Sequence, residues 1–210
     1  MKIAVFGSTG PTGQLIIKYS LSQGYQVVAF ARNPSKIGFQ HSELTVIKGT
    51  LDDSAAIEKT IAGVDAVISM LGASRNVKTT ELSQGMANII GAMKKHHVAR
   101  LVAMGTASVD DDNDRPVFKF RLLVHIVKCL IPGAYQEIRR IGTLVKQSGL
   151  DWTLIRIGLL TNRPPTGNII VGYYGREKLN LRISRSDLAH FFVDQAAISQ
   201  YLYKAPAVSN

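Results

Sequence analysis

The chain has 210 residues, a formal charge of +10 and a single cysteine, a length that suits one domain with a sizeable core. The lone Cys129 excludes an internal disulfide and a cysteine-built zinc site, and fits a reducing, cytoplasmic setting. The excess positive charge is spread over both halves and reads as solvated surface suited to a polyanionic ligand; no nucleic-acid recognition motif stands beside it, so no nucleic-acid partner is expected.

Lys2-Ile3-Ala4-Val5-Phe6 is an apolar, β-branched stretch of strand length. The N-terminus runs straight into it, so no signal peptide is expected. Gly7-Ser8-Thr9-Gly10-Pro11-Thr12-Gly13 follows, and Gln14 to Leu21 has apolar positions suited to a helix packed on a sheet. The glycines therefore stand at a strand-to-helix junction, the context that gives a glycine motif weight. Gly7 permits a tight turn, Gly10 lets backbone approach a ligand, and Gly13 lets the helix lie close to the strand. The first-turn N–H groups and the helix dipole attract an anion, here the pyrophosphate of a dinucleotide, with Thr9, Pro11 and Thr12 beside it. The spacing is G-x-x-G-x-x-G rather than G-x-G-x-x-G, and a plain tight turn is the alternative.

Gly24 ends the helix and Gln26 to Ala31 reads as a second strand. At its C-terminal end, where a dinucleotide fold receives the adenosine ribose, an acid would bind the free 2′-hydroxyl. The chain has no acid between Lys2 and Glu43, and offers Arg32 and Lys36 instead. These suit a 2′-phosphate and favour NADP(H) over NAD(H); two ordinary surface cations are the alternative. Leu44 to Lys48 is a third strand, and Gly49-Thr50-Leu51-Asp52-Asp53 leads to a helix from Ser54 to Ile61. Leu51 is expected against the adenine ring with Asp52 on its amino group; helix capping by Asp52 is the alternative.

Ala66 to Leu71 is a fourth strand, ending in Gly72-Ala73-Ser74-Arg75-Asn76. Gly72 lets the cofactor pass closely and Arg75 reaches a phosphate. Leu82, Met86, Ile89, Ile90 and Met93 recur at helical spacing and predict a helix from Glu81 to His96. His96 and His97 point to different faces, so they read as partners of the helix dipole rather than metal ligands. Arg100 to Gly105 is a fifth strand, ending in Thr106-Ala107-Ser108. Strands alternating with helices over short connections predict an α/β fold with a doubly wound parallel sheet, its ligand beyond the strands' C-terminal ends. Thr106 then faces the cofactor region, with Ser108 beside it. Asp110 to Asp114 reads as a solvated acidic loop.

Val117 to Ile131 would be apolar on most sides as a helix, and Pro132-Gly133 breaks it. It reads as a helix sandwiched against the domain or a second subunit; a basic helix on a membrane surface is the less favoured alternative. Its apolar run is too short to span a bilayer. Tyr135 to Gln147 is a further helix and Trp152 to Ile157 a sixth strand. Leu159 to Thr166 reads as a loop walling a substrate cleft, with Leu159 and Leu160 as its apolar wall. Ile169 to Tyr174 suits a short strand, and Ser186-Asp187 caps a last helix from Leu188 to Ala197.

Phe6-Gly-Ser-Thr-Gly-Pro-Thr-Gly13, Arg32, Leu71-Gly72 with Arg75, Ser148-Gly-Leu-Asp-Trp-Thr153 and Ile183-Ser-Arg-Ser-Asp-Leu-Ala189 run nearly end to end. On these motifs the chain resembles the atypical short-chain dehydrogenase/reductases, in particular the NmrA-like proteins and the biliverdin-IXβ reductase/flavin reductase group. The resemblance implies a single NAD(P)-binding Rossmann domain over residues 1–210, with residues 155–185 contributing to a substrate cleft. It also implies reduction of flavins or other planar acceptors by NADPH. The catalytic positions depart from the pattern. Tyr135 is followed four residues later by Arg139, where a Tyr-x-x-x-Lys pair would have a lysine, so Tyr135 is not favoured. In the flavin reductase group a Ser follows strand five and a His follows strand six. Here Thr106 takes the first position, and Gly158-Leu159-Leu160-Thr161-Asn162 offers no His. Thr106 is thus the catalytic candidate, with hydride geometry and desolvation carrying the reaction and solvent delivering the proton. The expected activity is NADPH-dependent reduction of flavin- or quinone-like planar acceptors, by a cytoplasmic monomer or homodimer. The alternatives are an NADP(H)-sensing regulator without turnover and, less favoured without the Tyr-Lys pair, an epimerase or dehydratase.

Overall fold

The computed structural model describes residues 1–72 and 80–210, and of Lys119, Phe120, Arg121 and Leu123 the backbone only. Apolar runs without alternation suit strands buried on both faces, as a parallel sheet covered by two helical layers requires. Strands β1 (Lys2–Phe6), β2 (Gln26–Ala31), β3 (Leu44–Lys48), β4 (Ala66–Ser69), β5 (Arg100–Thr106) and β6 (Asp151–Ile157) pair in parallel in the order β3-β2-β1-β4-β5-β6. Ile3 stands beside Val27 on one side and Ala66 on the other, and Ile3 to Phe6 are wholly buried. The order reverses between β1 and β4, and a doubly wound sheet opens a crevice at that point.

Six helices complete the layers: α1 (Pro11–Ser22), α2 (Ser54–Ile61), α3 (Glu81–Lys95), α4 (Phe118–Leu130), α5 (Pro132–Lys146) and α6 (Arg185–Ala197). Helices α1 and α6 pack together on one face, and α2, α3 and α5 on the other. Glu137, buried on α5, accepts from the N–H and hydroxyl of Ser83 at 2.9 Å each, so a carboxylate holds the first turn of α3.

The C-terminal part differs most from expectation. Strand β7 (Leu159–Thr161) opens the segment expected as a loop. Strand β8 (Ile170–Gly172) falls within the expected stretch, and β9 (Arg182–Ser184) and β10 (Ala207–Ser209) have no counterpart in the sequence reading. β7 pairs with β9, while β10 joins β6 in parallel and β8 in antiparallel fashion. Strands of three residues are too short to show a period. Helix α6 starts earlier than expected because Ser184, not Ser186-Asp187, is its cap. The Ser184 hydroxyl accepts the Asp187 N–H at 3.0 Å and donates to the Asp187 carboxylate at 2.7 Å. Burial pulls the Asp187 carboxyl upward, but N–H groups of Thr166 and Gly167 at 2.9 and 3.0 Å, with the Ser184 hydroxyl, hold it below its ordinary value. At α2 the cap is Asp53, which accepts from Ala56 N at 3.0 Å, so Asp52 is not the capping residue.

The acidic run Asp110–Asp114 is not a solvated loop. Arg156 is fully buried on β6 and meets Asp114 with two bonds of 2.5 and 2.8 Å. Its Nη1 also donates to the Val109 carbonyl at 3.1 Å, and the guanidinium lies 4.5 Å from the Tyr174 ring centre. Asp114 accepts from Tyr174 N at 2.9 Å, and Asp111 accepts from Ala205 N at 2.6 Å. The run folds inward because a buried strand cation needs a counter-charge.

Helix α4 is not buried within the domain either; the second-subunit alternative concerns a partner chain. It packs on α5, which turns its own buried face, with Ala134, Ile138, Ile141 and Val145, toward α3, β5 and β6. Phe118, Leu122, Ile126 and Leu130 stay 80, 49, 44 and 75 % exposed.

Asp114→Ala would leave Arg156 buried without its counter-ion, and should cost about 3–5 kcal/mol, read as a lower urea midpoint. Asp112→Ala, exposed in the same run, should stay within about 0.5 kcal/mol of the parent. Similar midpoints for the two variants would show that Arg156 does not depend on Asp114.

Candidate functional site

Each glycine of the first turn meets a different constraint. Gly7 has φ +75°, and a Cβ there would stand 2.8 Å from the Met70 carbonyl oxygen. A Cβ on Gly13 would collide with the Gly7 carbonyl. A Cβ on Gly10 would meet only the Gly7 oxygen, at 3.5 Å, so the fold itself leaves room there. Gly10 is the N-cap of α1 and makes no side-chain cap, and Pro11 occupies the first helical position without an N–H. The N–H groups of Thr12 and Gly13 are therefore first-turn donors with no intrahelical acceptor. The first turn carries no acid. This donor set fits a phosphate or pyrophosphate.

Two side chains fasten the turn to the end of β2. Buried Ser8 donates to the Phe30 carbonyl at 2.6 Å. Gln14 Nε2 donates to the carbonyls of Thr9, at 3.2 Å, and Lys36, at 3.0 Å. Lys36 lies in a short 3-10 turn, Pro34–Ile37, and with Arg32 is exposed at the edge of the glycine turn. Leu51 is half-buried after β3, its carbonyl held by Asn88 Nδ2 at 2.8 Å. Asp52 is exposed beside it, its carboxyl held below the ordinary range by hydrogen bonding from the Thr50 hydroxyl. Leu71 is buried after β4 and Gly72 is exposed; Gly72 faces the Met104 side chain. Arg75 lies outside the described residues.

Beyond β5 and β6 opens a cavity of about 310 Å³. Its lining includes Thr106, Ser108, Tyr135, Ile138, Leu159, Tyr174, Asn180 and Leu181, with Val124 and Val127 from α4. The Thr106 and Ser108 hydroxyls are hydrogen-bonded at 2.8 Å, and Ser108 N donates to Thr106 Oγ1 at 3.3 Å. Leu160 does not line the cavity: it is the middle residue of β7, and strand alternation turns it onto the core while Leu159 faces out. Tyr135, set aside on sequence grounds, does line it, with Arg139 Nη1 3.4 Å from its hydroxyl and the guanidinium 5.8 Å from its ring centre. Tyr174, Asn180 and Leu181 fall within the 155–185 segment expected at the cleft, but the sequence does not single them out, since a period cannot mark isolated loop residues. Burial pushes the Tyr174 hydroxyl up to about 12, with Asp114 adding and the Arg156 guanidinium opposing, so it stays protonated at neutral pH.

The family model described as NAD(P)H-binding matches residues 7–198. The chain belongs to that family. A 2-alkyl-3-oxoalkanoate reductase of Stenotrophomonas maltophilia is 35% identical over 128 residues, 56% of this chain and 37% of that protein, so the chain spans well under half the length of this relative. Among solved structures, a short-chain dehydrogenase/reductase of Veillonella parvula in complex with NADP matches with a TM-score of 0.79 at 20% identity, covering 100% of this chain and 94% of that one. ChuY, an anaerobillin reductase from Escherichia coli, matches with a TM-score of 0.80 at 16% identity, covering 100% and 97%. The family match bears out the expected binding of a nicotinamide dinucleotide, and the structural likenesses bear out the Rossmann-type fold. In an NAD(P)H-binding chain of this topology the dinucleotide lies across the crevice between β1 and β4.

Gly10→Val should fold normally, because its Cβ has room, yet fail to bind NADPH in a fluorescence titration. Gly13→Ala should instead lower the thermal midpoint, because its Cβ meets backbone. Undiminished NADPH affinity in folded Gly10→Val would move the pyrophosphate site elsewhere.

Proposed function

We propose that the chain is an NADPH-dependent reductase of apolar, planar acceptors of flavin or quinone type, working in the cytoplasm. The observation that carries the reading is the largely apolar cavity at the ends of β5 and β6, with Thr106 in its lining. When bound, the nicotinamide supplies a hydride. The remaining work falls to the chain. The N–H groups of Thr12 and Gly13 hold the pyrophosphate, Gly7 and Gly10 keep the approach open, and Thr9 and Pro11 form its rim. Arg32 and Lys36 hold the 2′-phosphate, Leu51 and Asp52 take the adenine, Leu71 and Gly72 let the cofactor pass, and Arg75 adds a phosphate contact. Thr106, oriented by Ser108, donates to the nicotinamide amide or to the acceptor. Leu159 and the rest of the cleft supplied by residues 155–185 exclude water, which strengthens the polar contacts that remain. Tyr174 is too weak an acid to deliver a proton quickly, so the proton comes from solvent.

A second reading, an NADP(H) sensor without turnover, is favoured by one feature: Arg139 stands at the place of the lysine in a Tyr-x-x-x-Lys pair. An assay of NADPH oxidation over a panel of flavins and quinones separates the two. Tight NADPH binding without oxidation by any acceptor would favour the sensor.

Losing one charge-assisted contact costs about 1.5–3 kcal/mol. Arg32→Ala should therefore weaken NADPH binding by roughly one to two orders of magnitude and leave NADH binding nearly unchanged. Equal affinity of the parent protein for both cofactors would remove the assignment of Arg32 and Lys36.

Loss of a general acid or base typically lowers the rate by about 10²–10⁴-fold. Thr106→Ala should fall short of that range, because Thr106 positions rather than protonates. A loss within the range, with a shifted pH profile, would make Thr106 part of a proton path.

A further inference from the structure

We propose that α4 seats the protein on an anionic lipid surface. Phe118, Leu122, Ile126 and Leu130 follow one another at one-turn spacing and form one exposed apolar face. Of the ten described large apolar side chains that are exposed, these four stand on one helix. Singly scattered apolar residues are normal on a surface, whereas four in one row mark an interaction face.

The charge of the same segment selects the partner. Lys119, Arg121 and Lys128 lie on this helix, and no Asp or Glu occurs between Asp114 and Glu137. Beside α4 runs a groove of about 480 Å³ in which Arg115, His125 and Lys128 come together. Asp110 and Asp114 also line it, but Asp114 is engaged by Arg156. An apolar helix face in a segment that carries cations and no acid is the pattern of a helix lying in a lipid interface. Thirteen residues give a helix of about 20 Å, and no helix among the described residues is long and apolar enough to cross a membrane, so α4 lies on the surface.

A second copy of this face is a poor occupant. It would set two helices without acids against each other, and like charge disfavours that pairing. A bilayer answers both the charge and the protruding apolar row.

Co-sedimentation of the full chain with vesicles tests the inference, using phosphatidylcholine alone and phosphatidylcholine mixed with phosphatidylglycerol. The expected result is binding to the anionic vesicles that is about tenfold or more stronger than to neutral ones, and weakened by salt. The double variant Phe118→Ser/Leu130→Ser should lose about tenfold or more of that binding. Both residues are exposed and outside the cavity, so its thermal midpoint and NADPH affinity should match the parent. No binding of the parent to anionic vesicles would overturn the proposal. So would equal binding by parent and double variant, which would mean adsorption through another basic face. A parent dimer that the double variant dissociates, with no vesicle binding, would make the stripe a subunit contact. Vesicle binding needs no turnover, so failure of the NADPH oxidation assay and failure of this inference are read separately.

Discussion

Helix α1 lies so near the end of β1 that residue 13 cannot carry a Cβ without meeting the Gly7 carbonyl. The rest of the cofactor half depends on that approach. It places the N-terminus of α1 directly over the point where the strand order reverses. It requires the left-handed conformation at Gly7, which a side chain would strain against Met70. It also leaves the helix capped by a residue without a side chain, so the first-turn donors stay available to an anion. Ser8 and Gln14 carry the same constraint across to β2, and so fix where Arg32 and Lys36 stand relative to the turn.

In the other half, a buried charge plays the organising part. Arg156 lies in the middle of a parallel sheet and is the largest fully buried side chain. A buried ion pair is weak evidence for stability, because desolvation of both partners offsets much of their attraction. Its Nε has no acceptor among the described residues, which adds to that cost. What the pair specifies is a shape. Asp114 is drawn to Arg156, and with it come the Tyr174 backbone and, through Asp111, the segment at Ala205. Tyr174 borders the cavity, and Val208 lies just beyond Ala205 in the same lining. The cavity wall is thus held by a charge that does not itself face into it.

The two halves were not equally legible. β1 to β6 and their helices follow from runs of buried apolar residues and from helical spacing such as Leu82, Met86, Ile89 and Met93, since long elements express their period clearly. The glycine turn at the start of α1 follows too, because its parts are neighbours in the chain. The cavity follows only in part: Thr106, Ser108 and Leu159 are readable from strand ends, while Val127, Tyr135, Tyr174, Leu181 and Val208 come from segments that meet only in three dimensions. An arginine in a strand gives no hint that an acid 42 residues earlier will pair with it. Helix α4 misled for a related reason. Its composition indicated burial, but composition cannot reveal that the neighbouring helix has already turned its apolar face elsewhere.

The contrast in chemistry between the halves bears on selectivity. A site that recognises a ligand by charge and hydrogen bonds rejects a ligand lacking them, since its own polar groups are then left unpaired. In the proposed reading Arg32 and Lys36 impose that kind of choice on the cofactor. An apolar wall discriminates by only about 1–3 kcal/mol per methylene. Thr106 and Ser108 bond one another, so this pair keeps a single hydroxyl hydrogen for a ligand. An acceptor without a matching polar atom therefore leaves only that one donor of the pair unpaired, and incurs a limited penalty. Sharp choice of cofactor and broad choice of acceptor then follow from the same physical rule, applied to a site that needs its ligand's polar atoms and to one that does not.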